Sequence, residues 1–228
     1  LPDKQDGEKD HVPRITETIK VEEMKFHAIQ MGAFNDGENA KSIAEQLKTK
    51  GGAGYVLEDQ YFRVMAMALL LESDALAVKE QLKTQEVEAQ IYEINCPGVD
   101  MDITASSEKI EGIKSSFALL KESMEIVESI IKDLDKDKIT LGSGMDKLGQ
   151  IKSQMEAKIE QIDGYSVTQG GSQVLDGLKD VFVQETKNID IIIKGNTSDK
   201  VAISSKIKYT YIDMIIRHKK YIEQISNG

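Results

Sequence analysis

Glu45-Gln46-Leu47-Lys48-Thr49 returns residue for residue as Glu80-Gln81-Leu82-Lys83-Thr84, an internal repeat offset by 35 positions. At the same offset Ala40 falls on Ala75, Ile43 on Val78, Ile29 on Val64 and Phe26 on Tyr61, so the match reaches back from a helix into the strand before it. Two copies of a strand-helix-strand unit follow. Such a unit needs about thirty residues, and each copy is just long enough. In the first, residues 25–31 predict a strand. Asn35 opens a helix whose Ala40, Ile43, Ala44 and Leu47 share one face, Gly51-Gly52 stops it, and residues 55–58 return as a strand. In the second, residues 61–68 predict a strand, residues 73–82 a helix capped by Ser73, and residues 89–94 the last strand. Asp59-Gln60 fits a tight hairpin between the copies.

A sheet of this β-α-β-β-α-β kind has helices on one face only, which leaves the other to water or a ligand. Alternation assigns the faces. Ile29 and Met31, equivalent to Val64 and Ala66 across the repeat, form the floor beneath the helices; Phe26, Ala28, Gln30, Tyr61, Arg63 and Met65 point the other way. Aromatics beside an amide and a guanidinium suit stacking and hydrogen bonding on an extended polar ligand. The face lacks catalytic groups.

Phe26-His27-Ala28-Ile29-Gln30-Met31-Gly32-Ala33-Phe34, then Asn39-Ala40 and a leucine before Gly51, resemble the first half of a SPOR domain. Tyr61-Phe62-Arg63-Val64 followed by Ala75 and Leu82 is similar to that family's second half, so the resemblance covers about residues 22–96. It implies binding to septal peptidoglycan, with a preference for glycan strands stripped of stem peptides, and a role in cell division or sporulation. It also implies glycan contact through Phe26, Ala28, Gln30, Tyr61, Arg63 and Met65. Where many members carry glycine-proline-aromatic after the third strand, this chain has Met67-Ala68-Leu69, one aromatic fewer for the sugar.

After Cys96-Pro97-Gly98 the alternation gives way to three-four spacing. Ile110, Ile113, Phe117, Leu120, Met124, Val127, Ile131 and Leu134 define a narrow coiled-coil-type seam. A second helix is expected from Ser143, with Asp146 completing a capping box, through Leu148, Ile151, Met155, Ile159 and Ile162 to a stop at Gly164. A third runs from about Ser172 to Lys194, with Gly195-Asn196 at its end. Thr197 or Ser198 caps the fourth, whose seam is Ile203, Ile207, Tyr211, Met214, His218, Tyr221 and Ile225. Short loops between long helices predict an up-and-down antiparallel bundle. The fold class read from the chain is α+β: a ferredoxin/RNP-like SPOR-like domain at 22–98 and an all-α bundle at 99–228, preceded by a flexible polar leader at 1–21.

A net charge of −10 and a pI near 4.9 argue against nucleic acid as a partner, which needs clustered Lys and Arg to displace counterions. The lone Cys96 forms no intramolecular disulfide, and His11, His27 and His218 show no metal-binding or nucleophilic spacing. No catalytic residue, metal site or cofactor is expected. Gly142-Ser143-Gly144 and Gly170-Gly171 follow no strand and read as turns. The chain begins Leu1-Pro2-Asp3 without a methionine, and no stretch reaches about eighteen apolar residues. The resemblance places the protein in the extracytoplasmic cell envelope, anchored to the cytoplasmic membrane by a segment upstream of the sequence.

The expectation is a non-enzymatic, peptidoglycan-binding envelope protein whose bundle contacts a protein partner or a second copy. The alternative is a scaffold of the division or sporulation machinery whose SPOR-like face no longer binds glycan.

Overall fold

The computed structural model describes residues 13–169, 172–195 and 197–226; the expected turn at Gly170-Gly171 and the helix-end role of Asn196 lie outside them. Strands β1 (Arg14–Val21) and β6 (Val99–Ser106) form a two-stranded antiparallel ribbon. Strands β2 (Met24–Phe34), β3 (Tyr55–Glu58), β4 (Phe62–Leu69) and β5 (Gln90–Cys96) form a four-stranded sheet in the order β3-β4-β2-β5. Helices α1 (Gly37–Lys48) and α2 (Glu72–Thr84) belong to the two repeats, and α3 (Ser107–Asp135), α4 (Leu141–Gln169), α5 (Gln173–Ile193) and α6 (Lys200–Ser226) follow. The architecture is α+β, a duplicated split unit followed by helices.

Local chemistry explains the repeat's elements. Asp36 caps α1, its Oδ1 accepting from the Asn39 amide at 2.9 Å. Gly51 takes a φ of +83° in the turn that leaves α1, a conformation that favours glycine. Ser73 lies inside α2 and does not cap it. The N-cap position is Leu71, without a side-chain bond, and Glu72 and Asp74 supply negative charge at the first turn. Ala40 and Ala44 of α1 pack on Val64, and α2 packs on β2, as the floor residues required. The β2-β4 register shifts on both sides of Gln30, where the pairs run Ile29 with Met67, Gln30 with Met65 and Gly32 with Val64, so Ala66 of β4 and Met31 of β2 are each the extra residue of a bulge.

The opposite sheet face is not open. Helix α6 lies across it. Phe26 is 0% exposed and meets the Tyr211 ring edge-on at 6.3 Å. Tyr55 packs on Tyr209 at 4.9 Å, and the Cys96 thiol donates to the Ile215 carbonyl at 3.8 Å. Ala28, Met65, Ala68 and Ile94 are buried in the same layer. A single apolar core therefore runs from the sheet into the bundle. Polar bonds fix the docking: Lys208 Nζ donates to the Gly51 carbonyl and to Asp135, and Lys219 Nζ to the Asn95 carbonyl. The buried Glu128 of α3 accepts from the Leu70 amide and the Tyr211 hydroxyl.

Helices α3 to α6 form the expected antiparallel bundle. Gly112 of α3 lies against Tyr165 of α4, Lys152 of α4 pairs with Asp190 of α5, and Asn188 of α5 donates to Asp213 of α6. Five boundaries differ from expectation. Helix α4 starts at Leu141, with Thr140 Oγ1 accepting from the Ser143 amide, and runs through Gly164. Helix α6 is capped by Asp199, whose Oδ1 accepts from the Val201 amide at 2.9 Å. Residues 14–21, expected in the polar leader, form β1, and residues 99–106, expected in the bundle, form β6. The ribbon sets Ile19 beside Met101 on its buried side, while Thr16 bonds Thr104 and Thr18 bonds Asp102 on the other. Helix α3 also buries more than a seam. Leu119, Ser123, Glu128 and Ile130 are covered too, because α3 touches both the bundle and the strands.

Among the described residues, the buried Glu185 and His218 side chains of the bundle have no hydrogen-bond partner. Burial, with Asp213 nearby, pushes the Glu185 carboxyl up to about 8, and its closest cation, Arg217, stands 3.9 Å away. Burial alone lowers His218 to about 4. A raised carboxyl keeps its proton in the folded state, so its contribution to stability falls as pH rises from the unfolded value near 4.5 to about 8. His218 acts oppositely, with stability falling as pH drops from 6.5 towards about 4.

Phe26→Ala should therefore cost roughly 3–5 kcal/mol in chemical denaturation, the range for emptying a buried aromatic site; an effect near zero would mean that the face is exposed. Glu185→Gln should flatten the loss of stability between about pH 5 and 8 measured by the same method, and an unchanged pH profile would show that Glu185 does not ionise in that interval.

Candidate functional site

What α6 leaves uncovered is the end of the sheet around the β3-β4 turn. Asp59-Gln60-Tyr61 makes that turn, and Asp59 braces it: its Oδ1 accepts from the Tyr61 amide at 2.9 Å. Its Oδ2 accepts from Arg63 Nε at 2.8 Å and from the Tyr92 hydroxyl at 3.2 Å. Arg63 Nη1 donates to Gln30 Oε1 at 3.0 Å. The guanidinium also stacks near two rings, 5.3 Å from the centroid of Tyr61 and 4.8 Å from that of Tyr92. The side chains arrive from four segments: Gln30 from β2, Arg63 from β4, Tyr92 from β5, and Asp59 and Tyr61 from the turn.

Of the six residues expected to contact glycan, Gln30, Tyr61 and Arg63 meet in this cluster. Phe26, Ala28 and Met65 do not, because they are fully buried beneath α6. Tyr61 is 40% exposed, Arg63 is partly exposed, and Gln30 is buried with its carbonyl committed to Arg63. Two members escaped sequence reading. Tyr92 pairs with Ala28 and so shares the face of Gln30, a relation the strand register would have disclosed. Asp59 read only as a turn residue.

The electrostatics favour a fixed, ionised cluster. The hydrogen bond from Arg63, then the one from the Tyr61 amide, lowers the Asp59 carboxyl, and the bond to Asp59 raises Arg63. Desolvation and then the Asp59 charge raise the Tyr92 phenol. The surface can stack on a ligand and hydrogen-bond to it. Among the described residues, no group of three or more His, Cys, Asp or Glu is placed to hold a metal ion. No described helix is long and apolar enough to cross a membrane.

Residues 23–93 match the family model of the SPOR domain. This segment is a SPOR domain. SPOR domains are generally peptidoglycan-binding domains of cell-envelope division proteins, and they bind rather than catalyse. No curated protein and no solved structure gives a significant match to the chain. Relative to the expected SPOR surface, the exposed part here is confined to the Tyr61, Arg63 and Tyr92 end.

Asp59 ionises below its ordinary value and Tyr92 above its own, so the cluster keeps one charge state from about pH 5 to 9. NMR shifts of the Tyr92 ring should stay constant over that interval, and a titration step within it would contradict the assigned contacts.

Proposed function

We propose that the protein is a non-enzymatic cell-envelope component that binds peptidoglycan glycan strands through the uncovered end of its SPOR sheet, in cell division or sporulation. The supporting observation is the Tyr61-Arg63-Tyr92 stack braced by Asp59 and Gln30. Arg63 is held by two side chains before any ligand arrives, so little rotamer freedom remains to be lost on binding. Tyr61 offers ring area to a sugar face, and the Arg63 donors not engaged by Asp59 and Gln30 suit its hydroxyl and acetamido oxygens. The preference for peptide-stripped strands follows from the SPOR resemblance.

A second reading is favoured by one specific observation. Phe26, Ala28 and Met65 are fully buried under α6, which removes half of the expected contact set. In that reading the SPOR domain serves as a platform for the bundle, and the protein is a scaffold of the division or sporulation machinery.

Co-sedimentation of the full chain with purified sacculi, with and without amidase treatment, separates the two. Binding that rises with stripping and falls at least about tenfold in Arg63→Ala plus Tyr61→Ala is expected, since losing a charged hydrogen bond costs about 1.5–3 kcal/mol. Undiminished binding by that variant would sink the sheet-end site. Absence of binding by the unaltered chain would leave the scaffold reading.

A further inference from the structure

Strand β1 is paired along one edge. Its eight residues run against β6 without a break in register, and among the described residues no strand lies along the other edge. Helix α3 covers one face of this ribbon, where Ile19 is buried beside Met101. The strand is rich in β-branched residues and holds none of the proline, glycine or bulges that blunt an edge. Ile15 shares the side of Ile19, yet it is 45% exposed. The other free edges are guarded. Strand β3 has only four residues, Lys219 of α6 sits on the Asn95 carbonyl of β5 at 2.9 Å, and β6 carries Asp100 and Asp102 with no base.

Two copies meeting at β1 across a two-fold axis pair antiparallel with both α3 helices on one side of the sheet, so each residue faces one of its own parity. The sequence discriminates among the registers. Centring on Glu17 sets that acid against its own copy and Arg14 against the partner's Lys20, while centring on Ile19 sets Ile15 against the partner's Glu23. Centring on Thr18 removes these faults. Arg14 then faces the partner's Glu22, Ile15 the partner's Val21, Glu17 the partner's Ile19, and Thr18 its own copy.

The side chains can take part as they stand. Glu22 is 84% exposed and meets Lys121 only at 3.7 Å. Arg14 donates through Nη2 to the Thr104 carbonyl at 2.6 Å, and its guanidinium keeps further donors. Lys114 holds Glu17 at 2.6 Å, so the acid beside the axis is compensated within its own copy.

We infer that β1 is a self-association edge: a second copy of this chain adds its own β1 antiparallel, centred on Thr18, and the two ribbons become one four-stranded sheet. Backbone groups along the edge supply the attraction, and the facing side chains fix the register. This rests on the ribbon alone and is independent of what the SPOR sheet end binds.

Light scattering of the full chain from about 1 μM to about 1 mM spans the affinities of a small interface, and a concentration-dependent dimer is expected. Arg14→Glu should raise the dissociation constant at least about fivefold, because the axis counts each facing pair twice. Adding Glu22→Arg to it should restore the constant to within about twofold. Under mild oxidation Thr18→Cys should form an intermolecular disulfide, since facing Cα atoms lie about 4.5–5.5 Å apart, whereas Thr104→Cys on the outer strand should not. The native Cys96 is fully buried and does not compete. A monomer at every concentration, a dimer indifferent to Arg14→Glu, or equal cross-linking at positions 18 and 104 would overturn the inference.

Discussion

Tyr211 of α6 occupies the space above Phe26 that water or a ligand would otherwise fill, and most of the molecule is arranged around that contact. Both rings are fully buried, and Ala28, Met65, Ala68 and Ile94 complete the layer beneath the helix. Burying one such side chain contributes about 1.5–3 kcal/mol, so a whole face of them holds α6 far more firmly than its surface ion pairs do. Orientation comes from the polar bonds. The Tyr211 hydroxyl reaches Glu128 on α3, and Glu128 in turn takes the Leu70 amide. Lys208 ties the helix to the turn after α1 through the Gly51 carbonyl. Removing one partner of such a buried set costs more than the bond itself contributes, because the other is left unsatisfied.

That docking decides where recognition can take place. A SPOR sheet with one face against α1 and α2 and the other against α6 has only its end to present. There Arg63, stacked near Tyr61 and Tyr92 and braced by Asp59, forms a compact surface. The same docking creates a cleft beside Tyr209, which neither half could form alone. One helix thus closes the broad face while building a concavity at the junction.

The sequence disclosed what depends on local periodicity. The 35-residue repeat places both strand-helix-strand copies, and residues 55–58 form β3 as read. The long seams locate α3 and α6, and alternation puts Phe26, Ala28 and Gln30 on one face. It does not say what covers that face. The apolar character of Phe26, Ala28, Met65 and Ile94 was the available sign, since a contiguous apolar sheet face seldom stays in water. Ribbon β1-β6 was missed because each strand mixes Thr, Glu, Asp or Lys with few apolar residues, and only their pairing shows Ile19 and Met101 side by side. The alternation of Met101, Ile103 and Ala105 was nevertheless visible. Within the site, Tyr61, Arg63 and Gln30 were legible as face residues; Tyr92 required the β2-β5 register, and Asp59 required the turn's hydrogen bonds.

Cys96 reports directly on the covering helix. It is the chain's single cysteine, lies fully buried between the sheet and the Ile215 carbonyl, and has its thiol pushed up to about 12 by that burial. A thiol reagent added to the native protein, against a denatured control, measures how often α6 lifts away. Labelling no faster than global unfolding is the outcome expected of a helix that belongs to the core. Rapid stoichiometric labelling in native buffer would show instead that the sheet face is open.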